Sequence, residues 1–579
     1  MNLFELRSKL QSSKGAMYVI ASVFFLTTLL QNVLFHWIVY AETSHAIVWF
    51  PSMLIKVSIA LFFASFALLT KRKYWVVIVS AVFAFWCMAE LIYFRSNNIF
   101  IEKYAFTMMG NMAGVWDSIW IFNKPIDWLL LLLTAILGIV VWLFDTPKRN
   151  AKSFAGVLFV SLVLNVISCY SIHRKMECLG ETCEHHRVWN PFTTHNGVSL
   201  LGFTNEFYVQ NVSVLHSLFY QIKELAFLPF ENDVFVMEDI DKQKADTFVL
   251  PGDSLPTPQT PLLIILVESF EAWTITPQVT PNLYAFIQQT PTLLYADRVA
   301  SQARHGVSAD GQMIVNTGLL PITDGATCFR FPSNVYPAVS HLYQKPALIA
   351  ALSLSYWNQK YMSDAYGIPQ NYVVKQWSDS DRHIFERLDS VRTQHDFVLS
   401  MTITMHAPFV SCPTFEYQGV DGMPDEMYRY LNSVKYMDKQ LGTILRQVTT
   451  DSLLKSSTIV ITADHNVLSH ESRQTFNAFN KQHQLGFGEI NGYIPLVIYS
   501  PELTNSVHIR QQVCQMDIYP TLLHILGCES YYWKGFGVNL LDQEALNARP
   551  ITPSDAQSLS DKMIRADYFK LRIHEDTGE

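Results

Sequence analysis

Four side chains able to hold a metal ion or a phosphate group stand close behind short apolar runs. Leu262 to Val267 ends at Glu268, Phe397 to Met405 is followed by His406, and Thr458 to Thr462 leads to Asp464 and His465. Runs of this length, bounded by turn residues and separated by helical patterns, read as buried strands, and Tyr493 to Tyr499 is a fourth. In open α/β sheets ligands bind beyond the carboxyl ends of the strands. Carboxylates and imidazoles at three such ends would meet on one rim. A single acidic residue after a strand says little, but a carboxylate closing a buried apolar strand is an unusual place for a mere surface group. His406 admits two readings, a group that meets a phosphoryl oxygen or a core histidine with no part in chemistry.

The elements that must carry this rim are α/β and occupy residues 261–579. Pro251, Pro256, Pro258 and Pro261 mark the start of that domain. Residues 172–260 before it are polar, aromatic and irregular, a connector with short helices such as one around Val214 to Leu228. Cys178 and Cys183 are close enough in sequence to form a disulfide, or they are two free thiols. The adjacent His185 and His186 fit no standard zinc-finger spacing.

Residues 1–171 are of another kind. Five apolar stretches run roughly Ala16 to Tyr40, Ala46 to Thr70, Tyr74 to Phe94, Ile126 to Phe144 and Ser153 to Tyr170. Each is long enough to cross a bilayer, which takes about 20 residues. The first is too long for a cleavable signal and is followed directly by others. Three basic clusters, Arg7/Lys9/Lys14, Lys71/Arg72/Lys73 and Lys148/Arg149/Lys152, fall on one side of a five-span bundle. That side is cytoplasmic, which places everything after Tyr170 outside. The loop from Arg95 to Pro125 lies outside too, and its Ile99, Phe100, Ile101, Tyr104 and Phe106 suggest a helix along the surface. Lys56 and Glu90 lie within spans; either they pair, or Lys56 snorkels while Glu90 sits near the interface. A chain half in lipid explains 50% apolar with 16% charged residues, and a net charge of −8 argues against a nucleic-acid partner.

The segments around the rim resemble the lipoteichoic acid synthase (phosphoglycerol transferase) family, within the sulfatase and alkaline phosphatase superfamily. They are Leu-Val-Glu-Ser-Phe at 266–270, Val-Thr-Pro-Asn-Leu at 279–283, His-Gly-Val-Ser-Ala-Asp at 305–310, Thr-Met-His-Ala-Pro-Phe at 404–409 and Thr-Ala-Asp-His-Asn at 462–466. Gln515, Asp517, Pro520 and Thr521 resemble the superfamily's late helical motif. The five spans match as well, so the resemblance covers nearly the whole chain and is strongest from Leu262 to Gly527.

The resemblance implies a bundle of five transmembrane helices in the cytoplasmic membrane. An extracytoplasmic sulfatase-like domain would follow, its central mixed sheet sandwiched by helices. It implies that Ser308 is the nucleophile, where the synthases carry threonine, and that Glu268, Ser308, Asp464 and His465 ligate one divalent cation. Carboxylate, imidazole and alkoxide oxygen suit manganese or zinc, with magnesium less favoured by the histidine; such a cation would activate the alcohol. His406 would contact the phosphoryl group or the leaving oxygen. Arg304 and His305 would meet phosphate oxygens, or belong to a solvated loop. Asp310 would brace the site or start a helix. The implied activity moves a phosphoglycerol group from a phosphatidylglycerol-like phospholipid, through a phosphoserine, to a hydroxyl of a glycan, a glycolipid or a glycerol phosphate polymer.

One departure matters. In the synthases a Phe-Trp-Asn-Arg segment shapes the glycerol phosphate pocket, and here Tyr356, Trp357 and Asn358 are followed by Gln359. Trp357 and Asn358 keep the implied binding role, but a bidentate phosphate clamp is lost, with Lys360 a partial substitute. A phosphoethanolamine transferase is the nearest rival, and a non-catalytic membrane module that kept the fold is another. A sulfatase would need Cys/Ser-x-Pro-x-Arg, and Ser308 is followed by Ala309, Asp310, Gly311 and Gln312.

Overall fold

The structure, a computed structural model, describes residues 15–43, 49–69, 72–97, 100–101, 122–144, 149–178, 209, 213–227, 255–323, 325–376 and 379–570. Its contacts divide into two compact units, one built on the N-terminal helices and one on a sheet.

The first unit contains α1 (Ala16–Thr43), α2 (Trp49–Ala67), α3 (Trp75–Asn97), α4 (Trp128–Leu143), α5 (Ala151–Cys178) and the shorter α6 (Val214–Phe227). Among the described residues five helices are long and apolar enough to cross a membrane, and they follow the five stretches read from the sequence. With lipid-like side chains all round, polar groups supply the interhelical specificity. Gln31 of α1 donates from Nε2 to Leu130 O (3.0 Å) and Thr134 Oγ1 (2.9 Å) of α4, and Thr134 Oγ1 meets Ser80 Oγ of α3 at 2.8 Å. Lys56 and Glu90 are both buried in the protein, so the snorkelling alternative is set aside. Lys56 Nζ donates to Ser52 Oγ (2.5 Å), and Glu90 Oε2 accepts from Ile101 N (2.8 Å). Cys183, His185, His186 and most of the expected surface helix and connector lie outside the described residues.

The second unit is α/β, as the sequence implied. Its nine strands are β1 (Leu262–Val267), β2 (Leu293–Ala300), β3 (Pro346–Ala351), β4 (Gln370–Val374), β5 (Phe397–Met401), β6 (Thr458–Ala463), β7 (Ile494–Tyr499), β8 (Val507–Ile509) and β9 (Val513–Cys514). They form one mixed sheet in the order β4-β3-β5-β1-β6-β7-β2-β8, with β9 on β2. β1 is central, parallel to both β5 and β6, while β7 runs antiparallel to β6 and β2. Every residue of β1, β6 and β7 is buried, which is why each reads as an unbroken apolar run rather than an alternation. The helices that pack around the sheet include α7 (Pro281–Gln289), α8 (Ser308–Thr317), α9 (Ser380–Val391), α10 (Asp425–Leu445), α11 (His470–His483), α12 (Ile518–Ile525) and α13 (Pro553–Arg565).

β5 is shorter than the apolar run Phe397 to Met405. It stops at Met401, because the next backbone groups leave the ladder: Ile403 N and Thr404 N both donate to Asp381 Oδ1, at 2.9 and 3.0 Å. Periodicity cannot see a side-chain acceptor that captures the backbone of an apolar stretch.

Candidate metal centre and active site

Glu268 follows β1, and Asp464 and His465 follow β6, its parallel neighbour in the register Val267 to Ala463. Adjacent strands ending at the same level bring the three side chains together, with one ligand atom from each within 4.8 Å of the others. His465 Nε2 lies 3.4 Å from Glu268 Oε1 and 3.7 Å from Asp464 Oδ2. Its Nδ1 lies 2.8 Å from Asn466 O, which can only accept, so Nδ1 carries the proton and Nε2 holds the lone pair of the neutral ring. That Nε2 is buried and makes no hydrogen bond. A buried orphan nitrogen facing two carboxylates, its tautomer set by a carbonyl behind it, is a donor set that could hold a divalent cation.

The electrostatics agree. Burial pushes Asp464 up to about 7, and the Glu268 charge pushes the same way. Burial would also raise Glu268, but the facing His465 imidazole and its charge outweigh it and bring it to about 2. His465, which burial would lower, is lifted to about 9 by those two carboxylates. Two crowded carboxylates thus demand a positive charge, supplied by an imidazolium or by a cation in its place.

Ser308 opens α8 directly after Val307, which holds φ at 42°. A β-branched residue resists that conformation. Asp310 holds the loop in place, its Oδ2 accepting from Arg304 N (2.9 Å) and Gly306 N (2.8 Å). Ser308 Oγ stands 3.3 Å from Glu268 Oε2, to which it donates. Helix α8 approaches so closely that a Cβ on Gly311 would come within 2.2 Å of Asp464 O. Gln515 ties both sides, donating to Asp464 O (2.9 Å) and accepting from Gln302 N (3.0 Å).

His406 lies on the loop beyond β5, its Nδ1 2.7 Å from Ala407 O, and near enough for its charge to act on Glu268. The other implied residues are held by other neighbours. Arg304 is exposed, and its Nε bonds Gln557 Oε1 of α13 at 3.2 Å. Trp357 and Asn358 are two consecutive left-handed residues, with φ of 49° and 54°. Trp357 packs beside Phe329 (6.2 Å between rings), and Asn358 Nδ2 donates to Cys328 O at 2.8 Å. Gln359 is buried and pairs reciprocally with Gln312 of α8, at 3.1 and 2.8 Å, so it is a brace of that helix. Lys360 lies over the Tyr361 ring, 5.9 Å from its centroid.

Glu271 is the residue that the sequence reading missed. It is fully buried; Oε1 accepts from Val467 N (3.3 Å), Leu468 N (3.2 Å) and Arg473 Nη2 (3.0 Å), and Oε2 accepts from Trp273 Nε1 (2.9 Å). It fastens the segment behind His465 to the segment behind Glu268. Its place three residues after Glu268 was the only signal, since Arg473 is 202 residues away.

Two family models match the chain, a sulfatase domain over residues 335–528 and a lipoteichoic acid synthase N-terminal domain over residues 1–185. The lipoteichoic acid synthase-like protein YvgJ of Bacillus subtilis (strain 168) is 25% identical, over 46% of this chain and 46% of that protein. Lipoteichoic acid synthase 2 of the same organism is 22% identical, over 90% of this chain and 83% of its own length. Among solved structures, the lipoteichoic acid synthase LtaP from Listeria monocytogenes aligns with a TM-score of 0.43 at 19% identity, covering 53% of this chain and 82% of that one. The resemblance read from the motifs is borne out: the chain is similar to lipoteichoic acid synthases over most of its length. With its five apolar helices it is a multi-pass membrane protein.

Proposed function

We propose that this protein is a phosphoglycerol transferase of the cytoplasmic membrane, with its sheet unit outside, that uses Ser308 as nucleophile. The observation that carries the reading is the convergence of Ser308 Oγ, two carboxylates and the hydrogen-bond-free Nε2 of His465 in one buried cluster. The similarity to lipoteichoic acid synthases supplies the class of group transferred.

Glu268, Ser308, Asp464 and His465 would hold one divalent cation, manganese by preference for a mixed carboxylate and imidazole set. When bound, such a cation lowers the proton affinity of a coordinated hydroxyl and offsets charge on the phosphoryl oxygens. Ser308 Oγ attacks the phosphorus of a phosphatidylglycerol-like donor; the new O–P bond replaces the bond to the lipid alcohol, which leaves as diacylglycerol. His406, on the loop that leaves β5 beside β1, donates the proton that the leaving oxygen takes up. An acceptor hydroxyl then takes the phosphoglycerol group and gives its proton back to His406, and Ser308 is released as the alkoxide that attacked, its own proton having passed to solvent beforehand. The acceptor is a glycan, a glycolipid or a glycerol phosphate polymer.

The test is diacylglycerol release by the full-length protein with manganese, offered phosphatidylglycerol and phosphatidylethanolamine separately. Release from phosphatidylglycerol, lost in Ser308→Ala, is expected. Release from phosphatidylethanolamine alone would replace the reading with an ethanolamine phosphate transferase, and release that survives in Ser308→Ala would remove Ser308 as nucleophile.

A further inference from the structure

Asp381 lies in the first turn of α9 and is completely buried. One carboxylate oxygen is spoken for: Oδ1 accepts both Ile403 N (2.9 Å) and Thr404 N (3.0 Å). The other, Oδ2, is buried with no hydrogen-bond partner among the described residues. Burying a carboxylate and leaving half of it unsatisfied is costly, so its retention asks for a return.

The return lies in what Asp381 holds. The segment 402–411 leaves the sheet between two anchors. Thr402 remains tied to the metal rim, its N bonded to Leu266 O (3.0 Å) and its Oγ1 accepting from Glu268 N (3.0 Å). At the far end Ser411 Oγ donates to Thr404 O at 3.0 Å, and His406 N donates to Ile403 O at 2.9 Å. The middle, Ile403 and Thr404, hangs on Asp381 Oδ1, and Thr404 Oγ1 accepts from Asp381 N at 3.3 Å. Two sequence-distant pieces therefore meet there: the start of α9 and the exit of β5, which runs on into the loop that carries His406. Asp381 also feels the charge of Glu268, which adds to the effect of burial in pushing its carboxyl up to about 6.

We infer that Asp381 is a positioning residue, whose carboxylate acceptor sets the exit of β5 and thereby where the His406 imidazole stands relative to Glu268. The inference rests on the proposed reading in which His406 serves the phosphoryl transfer, but its placement of His406 can be tested without turnover. The test compares Asp381→Ala, Asp381→Asn and the parent as full-length proteins. Three readouts are taken: manganese affinity, kcat and KM for diacylglycerol release, and the rate at which diethylpyrocarbonate modifies His406, followed by mass spectrometry. Asn keeps one acceptor oxygen for the two backbone N–H groups and brings its own N–H₂ to the place of the orphan oxygen. The expected result is that Asp381→Ala binds manganese within threefold of the parent. It loses roughly tenfold or more in kcat with KM little changed, and exposes His406 to faster modification. Asp381→Asn should restore most of kcat and the parent's modification rate.

Asp381→Ala with parental kcat and parental His406 reactivity would overturn the inference. So would Asp381→Asn behaving like Asp381→Ala, since that would make the charge and not the acceptor geometry the cause. If the parent releases no diacylglycerol, the proposed function fails while the His406 modification rates still decide this inference. Loss of manganese binding in Asp381→Ala, with His406 and other histidines modified alike, would mark a folding role and count against it.

Discussion

Two stretches of the sheet unit treat their functional residues in opposite ways. On the metal rim, Glu268, Asp464 and His465 follow fully buried parallel strands, and the backbone ladder leaves their side chains little choice of direction. In the segment Tyr356 to Gln359 the backbone is off the sheet, takes two left-handed residues in a row, and turns Gln359 inward against Gln312. The comparison teaches that side chains following buried central strands come together as their positions imply, whereas the segment implied to select the substrate sits where one side chain can change its direction. Position in the sequence is therefore a good guide to placement on the rim and a poor one in the loop.

The largest effect that would sharpen this contrast is at Ser308. Ser308→Ala should lower turnover by roughly 10³-fold or more while leaving the protein folded, measured as diacylglycerol release beside a thermal melt. Removing the cation comes next. A chelator should abolish turnover and lower the stability of the sheet unit by about 2.7 kcal/mol relative to a cation concentration near 100 times its Kd. An unchanged melt would mean that the rim residues do not hold the metal.

Glu271→Gln probes the strut behind the rim. It removes the charge partner of Arg473, whose side chain is 22% exposed, so a loss of about 2 kcal/mol is expected, below that for a fully buried pair. Manganese affinity should fall with it, because an amide that keeps its oxygen for Val467 N and Leu468 N turns its N–H₂ against the Trp273 Nε1 donor; isothermal titration would read this. The smallest effect is the one that could break the comparison. Gln359→Arg should destabilise by about 1–2 kcal/mol through overpacking against Gln312 and leave KM for the lipid donor unimproved. A lower KM would show that the loop turns this side chain toward the lipid donor rather than against Gln312.

Much of this was legible in the residues alone. The five apolar stretches became five helices, because in lipid only an internally bonded backbone can span. β1, β6 and β7 were found to within a residue, because strands buried on both faces carry unbroken apolar runs. β2, β3 and β4 were not, and for two of them the reason is plain: β2 mixes Asp297 and Arg298 into its run, and β4 is an edge with Gln370 exposed. The residue types of the rim were decided by sequence as well, since a carboxylate after a central strand has few directions open to it.

The tertiary structure decided what depends on acceptors brought from elsewhere in the chain. Asp381 ended β5 early by capturing two N–H groups more than twenty residues ahead of it. Glu271 found Arg473, Asp310 held Val307 in a conformation its side chain resists, and Gln312 drew Gln359 inward. Periodicity records how much apolar surface each element must bury; it carries no record of which distant polar group will satisfy a buried one, and only the folded chain supplies that partner.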